Sequence, residues 1–359
     1  MTKKILKSYL VPAIAAVVVS VIPFVLIQLG IVDGYNAQIL TMCAINSIMA
    51  LSVNIICGIT GQLSLGQAGF MAIGAYMTII LNQMAGLPLF VSIIIACLIT
   101  AFFGFLIGFP TLKLEGDYLA IVTLGFGEII RVVLVNLKQI TGGPNGKQFN
   151  TNLTFFDGPA FFIITAILIL VIIFLQNFIR STYGRAILAV REDEVAANAN
   201  GISVFRYKMI GFVIASFVAG LGGALYVSRI GFIKPDQASF TKSIDYLIFV
   251  VLGGMGSTTG SILAAYVLTY LQEVLRFLKD FRLLIYPVVL ILVMIFRPQG
   301  LLGTKELSVA RLPHDVKSLI QKLRDRKSAS GKKAQATGTG VGGKVQTDAG
   351  NGASDKEAK

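Results

Sequence analysis

The chain has no tryptophan and a single histidine, His314, which lies near the C-terminus. Without tryptophan, any aromatic belt at a membrane surface has to consist of tyrosine and phenylalanine. A lone histidine in the tail excludes histidine-based catalysis and proton relays through histidine. The three cysteines, Cys43, Cys57 and Cys97, lie in or beside apolar runs and show neither zinc-ligand spacing nor a disulfide framework.

Charged residues are also scarce. Only 14% of the 359 residues are charged, whereas 55% are apolar. A soluble chain of this length could not cover such a composition with polar surface. The net charge of +13 does not indicate nucleic acid, because the basic residues gather before the first apolar run and again after Gly303. We therefore expect the protein to lie in a lipid bilayer and to have no nucleic acid as a partner.

A nucleotide-binding loop is missing as well. Residues 338–345 (GTGVGGKV) imitate a P-loop, but Val345 replaces the serine or threonine that would hold Mg²⁺, and no strand precedes the segment. The sequence also lacks a nucleophile–base pair or a metal-ligand set. We therefore expect no bound cofactor and no enzymatic activity, so that energy for transport comes from an ion gradient or from a partner.

Long apolar runs fill the chain between residues 10 and 297. Because about 20 apolar residues cross the hydrocarbon layer as a helix, these runs predict an all-α polytopic membrane protein with about ten spans. The predicted spans are 10–31, 36–56, 65–82, 88–109, 117–137, 158–178, 207–228, 243–256, 261–278 and 283–297. The eighth and tenth are short, which is typical of broken or re-entrant helices.

The basic residues at both ends predict the orientation. The short loops are nearly balanced in charge, so the lysines of residues 1–9 and the basic tail 304–359 decide in favour of cytoplasmic termini. The membrane domain then covers residues 10–303, and the tail, rich in glycine, alanine and lysine, is expected to be largely disordered. An even number of spans places the polar loop 181–208 in the cytoplasm.

Glycine-rich breaks at 61–69 and 253–260 indicate an internal duplication. If spans 2–5 correspond to spans 7–10, the two halves cross the membrane in opposite directions. Inverted repeats of this kind are typical of transporters.

The loop 181–208 is the one polar, helix-forming stretch between the apolar runs. The acids at Asp193 and Glu194 and the glycine at Gly201 predict a helix of about two turns between them. We expect it to be the only sizeable helix in this loop. A helix this short needs packing to persist, and the residues alone leave open whether it packs on its own protein or on a soluble partner.

Resemblance to a known family bears on this choice. Glu194, Ala196, Ala197 and Gly201 resemble the EAA coupling loop of ABC importer permeases, and most of the chain is similar to LivM-type permeases of branched-chain amino acid uptake systems. The similar segments are 61–76 (GQLSLGQAGFMAIGAY), 114–130 (LEGDYLAIVTLGFGEII), 141–146 (TGGPNG), 183–202 (YGRAILAVREDEVAANANGI), 253–260 (GGMGSTTG) and 297–303 (RPQGLLG).

The sequence departs from the family pattern in two places. Thr258 and Thr259 stand where a larger apolar or aromatic residue is usual, and the segment after Gly146 is longer than expected. Neither departure touches the loop 181–208.

The resemblance implies a type II ABC importer fold and a multi-pass subunit of a bacterial-type cell membrane. Its partners would be a second, LivH-like permease subunit, two cytoplasmic ATP-binding subunits that consume ATP, and an extracytoplasmic solute-binding protein. The solute would be leucine, isoleucine or valine; urea or a short amide moved by the same machinery is an alternative.

The resemblance also implies a set of ATPase-coupling residues, with Ala196 and Ala197 fitting into a cleft of the ATPase. This set is Arg185, Arg191, Glu192, Asp193, Glu194, Ala196, Ala197 and Gly201.

Polar residues within the spans are the other candidates. Glu128 and Arg131, three residues apart in span 5, predict either an internal ion pair or a group that lines a pathway. An ion-coupled secondary carrier using Glu128 is therefore an alternative from a different class. The remaining polar candidates, which either satisfy exposed backbone or line a cavity, are Asn54, Gln62, Ser64, Gln67, Thr258 and Thr259.

Overall fold

The computed structural model describes residues 34–114, 116–151 and 157–276, together with positions 287, 288, 291, 295 and 300. The predicted first span, residues 1–9 and the tail 304–359 lie outside the described residues. The tenth predicted span is represented only by isolated positions.

Helices follow one another along the described chain, which confirms the predicted helical class. They are α1 (Gly34–Val53), α2 (Gln67–Ile79), α3 (Leu89–Thr111), α4 (Asp117–Asn136), α5 (Lys138–Thr141), α6 (Asp157–Arg180), α7 (Thr182–Glu192), α8 (Glu194–Ala199), α9 (Val204–Ile230), α10 (Phe240–Gly253) and α11 (Thr258–Val274). Helix α1 continues as π-helix over Asn54–Ile59 and α2 over Ile80–Met84, and 3₁₀ turns occupy Gly143–Asn145 and Pro235–Ala238.

In the part of the chain that the structure describes, five helical segments are long and apolar enough to cross a membrane: Gly34–Ile59, Leu89–Thr111, Asp117–Asn136, Ala160–Arg180 and Val204–Ile230. The first and last are mostly buried and form the centre, whereas the other three expose most of their length. On α3, for example, Phe90, Ile94, Leu98 and Phe102 form one exposed apolar stripe at helical spacing. Such stripes are stable in lipid, so the polytopic membrane class is confirmed as well.

The long helices together form a layer, and short secondary-structure elements lie at its two ends. Strand β1 (Lys147–Gln148) pairs antiparallel with β2 (Phe232–Ile233), with Lys147 opposite Ile233. This pair marks one end, which we call the β1–β2 end. Helices α7 and α8 lie at the opposite end, which we call the α7–α8 end.

Two helices begin inside the layer rather than at an end. The backbone N–H of Phe240, the first residue of α10, donates to Glu128 Oε1 at 3.1 Å, and Glu128 is about half-way along α4. The backbone N–H of Ala68, at the start of α2, donates to Ser243 Oγ at 3.2 Å. The N-termini of α2 and α10 therefore meet within the protein, which explains why α10 has only 14 residues.

The crossing of α2 and α9 depends on glycine. A Cβ on Gly74 would overlap the backbone of Gly220, and a Cβ on Gly223 would overlap the carbonyl of Met71. Small residues at such crossings let the two backbones approach closely, which is how membrane helices associate without a hydrophobic driving force.

Candidate functional site

The polar loop 181–208 forms two helices, α7 and α8. Helix α7 has eleven residues and is capped by Ser181, whose Oγ accepts the backbone N–H of Gly184 at 3.2 Å. Helix α8 is capped by Asp193, whose Oδ1 accepts the N–H groups of Val195 and Ala196 at 2.9 Å each. Gly201 then adopts φ +79°, as a helix stop requires. The short helix was predicted correctly, but the expectation that it is the only sizeable helix of the loop is wrong.

Helix α8 presents one face outward and one face inward. Val195 is 80% exposed and Ala196 is exposed, whereas Ala197 is buried against the rest of the chain. Glu194 forms a salt bridge with Lys208, whose Nζ lies 2.6 Å from Glu194 Oε1. The prediction that Ala196 and Ala197 enter a partner together is therefore corrected, because only Ala196 of the two is accessible.

Arg191 attaches the end of α7 to the ends of other helices. Its Nη1 donates to the carbonyl of Gly58, in the π-helical end of α1. A Cβ on Gly61 or on Gly256 would meet the Arg191 side chain. Asn54 Oδ1 accepts the N–H of Gly256 at 2.9 Å. One side chain thus joins α7, α1 and the α10–α11 turn, a convergence that the sequence alone did not predict. The other predicted coupling residues before α8, Arg185, Glu192 and Asp193, are exposed.

Four predicted polar residues gather around the extended segment that leads into α2. Asn54, Gln62, Ser64 and Gln67 are all at least 96% buried. Among the described residues, none provides a hydrogen-bond partner for Asn54 Nδ2, Gln62 Nε2, Ser64 Oγ or Gln67 Nε2. Buried polar atoms are nearly always paired, so these four sites are suited to bind water or a polar solute.

The two threonines that depart from the family pattern lie at the start of α11. Ser257 provides the N-terminal cap of this helix, because its Oγ accepts the N–H of Gly260 at 3.0 Å. Thr258 is buried and Thr259 is partly buried. Both threonines therefore lie in the first turn of α11, directly after the Ser257 cap.

Glu128 and Arg131 form the predicted ion pair, with Arg131 Nε 2.7 Å from Glu128 Oε2. The carboxylate also accepts the N–H of Phe240, and Arg131 Nη1 lies 3.8 Å from Asp236 Oδ1. A carboxylate at a helix N-terminus is favoured by the partial positive charge there. This network joins α4, the Pro235–Ala238 turn and α10, and it occupies both oxygens of Glu128.

We expect Glu128→Gln to lower the folded yield, because Arg131 loses its counter-charge and α10 loses a charged acceptor. Both side chains of the pair are about one-third exposed, so the expected cost is roughly 1–3 kcal/mol rather than that of a fully buried pair. The double variant Glu128→Gln/Arg131→Gln should recover part of the yield. Size-exclusion profiles of the extracted protein measure this effect, with Glu192→Gln as a control. A normal yield together with altered solute preference would show that Glu128 lines the pathway.

Comparisons with known proteins agree with the geometry. Residues 35–297 match the family model described as the permease component of the branched-chain amino acid transport system. The chain is 40% identical over 296 residues to the high-affinity branched-chain amino acid transport permease LivM of Salmonella typhimurium, covering 74% of this chain and 70% of the relative. It is 24% identical over 240 residues to the probable LivM of Methanocaldococcus jannaschii, covering 59% of this chain and 69% of the relative.

A relative that is named for a different solute is also similar. The autoinducer 2 import permease LsrC of Salmonella paratyphi B is 28% identical over 261 residues, covering 68% of this chain and 70% of the relative. No solved structure matches the chain.

Proposed function

Because the chain belongs to the family of branched-chain amino acid permease components, we propose that it forms half of a translocation pathway which ATPases drive through α7 and α8. The chain is a membrane permease subunit of a branched-chain amino acid ABC transporter. Such transporters combine a partner permease, ATPases and a solute-binding protein. In our proposal the partner permease is LivH-like, two cytoplasmic ATP-binding subunits consume the ATP, and this chain binds no cofactor.

The observation that supports coupling is the position of α8. It presents Val195 and Ala196 outward, while Glu194 and the buried Ala197 fix the helix to the membrane domain. A force applied to the exposed face is therefore transmitted to α7 and, through Arg191, to the inner end of α1. The carrier alternative has no comparable support, because Glu128 is engaged by Arg131 and by the N-terminus of α10.

Two neighbouring alanines provide the test of this proposal. Ala196→Arg should leave folding intact but overfill the contact with the ATPase, which costs roughly 1–3 kcal/mol or more at a fitted interface. Leucine uptake and solute-stimulated ATP hydrolysis should then fall together at normal abundance. Ala197→Arg, in contrast, should reduce the folded yield, because Ala197 is buried within this chain. Wild-type uptake by a normally expressed Ala196→Arg variant would contradict the coupling role.

We further propose ten spans, cytoplasmic termini and inverted repeats. Helices α2 and α10 correspond if spans 2–5 match spans 7–10, and both begin inside the layer with their N-termini in contact. Each also follows a long central helix, α1 or α9. These parallels support the repeat, and the basic tail supports the orientation. A cysteine placed in the tail should resist an impermeant reagent in intact cells; labelling there would contradict the topology.

A further inference from the structure

A cavity of about 450 Å³ lies at the α7–α8 end, beside the exposed face of α8. Its walls come from three parts of the chain: the segment after α1, the start of α4, and α8 with the nearby Lys208. Of the four buried polar residues near the start of α2, only Gln62 lines this cavity. The cavity and that polar cluster are therefore different sites. Its volume is within the range of small-molecule sites in proteins.

The apolar part of the cavity is aliphatic. Leu63, Leu114, Leu119 and Val195 line it. Leu63 and Leu114 are 40% and 37% exposed, so their side chains are available to a ligand. Among the described residues, no aromatic side chain lines the cavity, which favours a branched aliphatic group over a flat ring.

Among the described residues, the charged part of the cavity has one cation and two carboxylates. Lys208 is buried and directs its ammonium to Glu194 at 2.6 Å, which leaves further N–H donors on the same nitrogen. Gln62 is 96% buried, and its Nε2 has no partner among the described residues. The second carboxylate is that of Asp117, to which the described chain gives no salt bridge. The cavity thus offers donors for a carboxylate and an exposed acid, Asp117, for an amine.

We propose that this cavity binds an aliphatic α-amino acid from the cytoplasmic side, the same class of solute that the transporter imports. Its carboxylate is bound by Lys208 and Gln62, its ammonium by Asp117 and Glu194, and its side chain by the aliphatic wall. The bound amino acid joins α8 to the start of α4 and so restrains the movement of α8. This restraint rests on the proposed coupling role of α8, and its consequence is that accumulated solute slows further import.

Binding is tested on the complete transporter in lipid nanodiscs, without the solute-binding protein, by equilibrium titration with labelled leucine. Asp117→Asn and Leu114→Asn should each weaken binding about tenfold, the factor expected from losing one charged or well-packed contact. Leucine analogues that lack the amine or the carboxylate should compete poorly. The control is Lys113→Gln, because Lys113 is a nearby lysine outside the cavity, placed over the Phe109 ring.

Two results would overturn the site. One is unchanged leucine affinity in both cavity variants when they are folded. The other is loss of the ATPases from these variants without a change in leucine affinity, which would assign the cavity to a side chain of the ATPase. Because the titration needs no ATP hydrolysis, it remains valid even if the Ala196→Arg test contradicts coupling.

The feedback is tested in proteoliposomes that contain ATP and either leucine or no amino acid on the cytoplasmic side. Internal leucine should slow uptake by the wild type. The internal leucine concentration that halves uptake should be about tenfold higher in Asp117→Asn, following the weakened binding. Equal inhibition of wild type and Asp117→Asn would overturn the feedback. Relief of inhibition in Asp117→Asn, with Lys113→Gln inhibited normally, would support it.

Discussion

Replacing Gly74 by alanine is expected to abolish most of the folded yield of the membrane domain. The added Cβ would overlap the backbone of Gly220 at the crossing of α2 and α9. Backbone atoms cannot rotate away as a side chain can, and Gly220 is itself packed against Thr100 of α3. Overpacking of a tight core costs about 1–3 kcal/mol and occasionally more. We expect the upper end of this range because three helices would have to move.

A second glycine provides the matched control. On α4, nothing lies within 4 Å of a Cβ built on Gly125. Gly125→Ala should therefore be neutral or stabilise the helix by roughly 0.5–1 kcal/mol, the usual difference between glycine and alanine in a helix interior. The yield and thermal unfolding of extracted protein measure both variants. Equal yields for Gly74→Ala and Gly125→Ala would show that the α2–α9 crossing can relax.

The positions of the helices were predictable because lipid imposes one simple rule. A backbone in hydrocarbon has to satisfy its own hydrogen bonds, so a long apolar run becomes a helix. The predicted spans 88–109, 117–137 and 158–178 accordingly fall on α3, α4 and α6. The pair of Glu128 and Arg131 was predictable for a similar reason, since residues three apart on a helix are neighbours.

The depth in the layer at which α2 and α10 begin could not be predicted in the same way. Both depend on partners that are distant in sequence: Ser243 receives the N–H of Ala68, and Glu128 receives the N–H of Phe240. Hydropathy places such a helix along the chain but contains no information on its depth. The burial of Ala197 and the length of α7 were missed for different reasons. The first depends on tertiary packing, whereas the second had a local signal in the capping residue Ser181.

Arg191→Ala is expected to separate ATP hydrolysis from transport. The guanidinium joins the end of α7 to the Gly58 carbonyl, whereas the exposed face of α8 lies beyond it and is unchanged by the substitution. The ATPases should therefore still bind and hydrolyse ATP. Their movement, however, should no longer reach the π-helical end of α1. We therefore expect leucine uptake to fall about tenfold or more at normal abundance of the permease. This factor corresponds to the loss of one charge-assisted hydrogen bond.

The controls for this variant distinguish a mechanical link from a simple loss of charge. Arg206→Ala removes an exposed arginine at the start of α9 and should transport normally. Arg191→Lys keeps the charge and should restore only part of the uptake, because a lysine cannot present the planar donor group of arginine. If uptake and ATP hydrolysis declined in parallel in Arg191→Ala, Arg191 would belong to the ATPase contact itself. Normal uptake would show that the ends of α7 and α1 move independently. The expected ratio of hydrolysis to uptake therefore rises in Arg191→Ala and stays constant in Ala196→Arg, because the first variant breaks the connection behind α8 and the second breaks the contact in front of it.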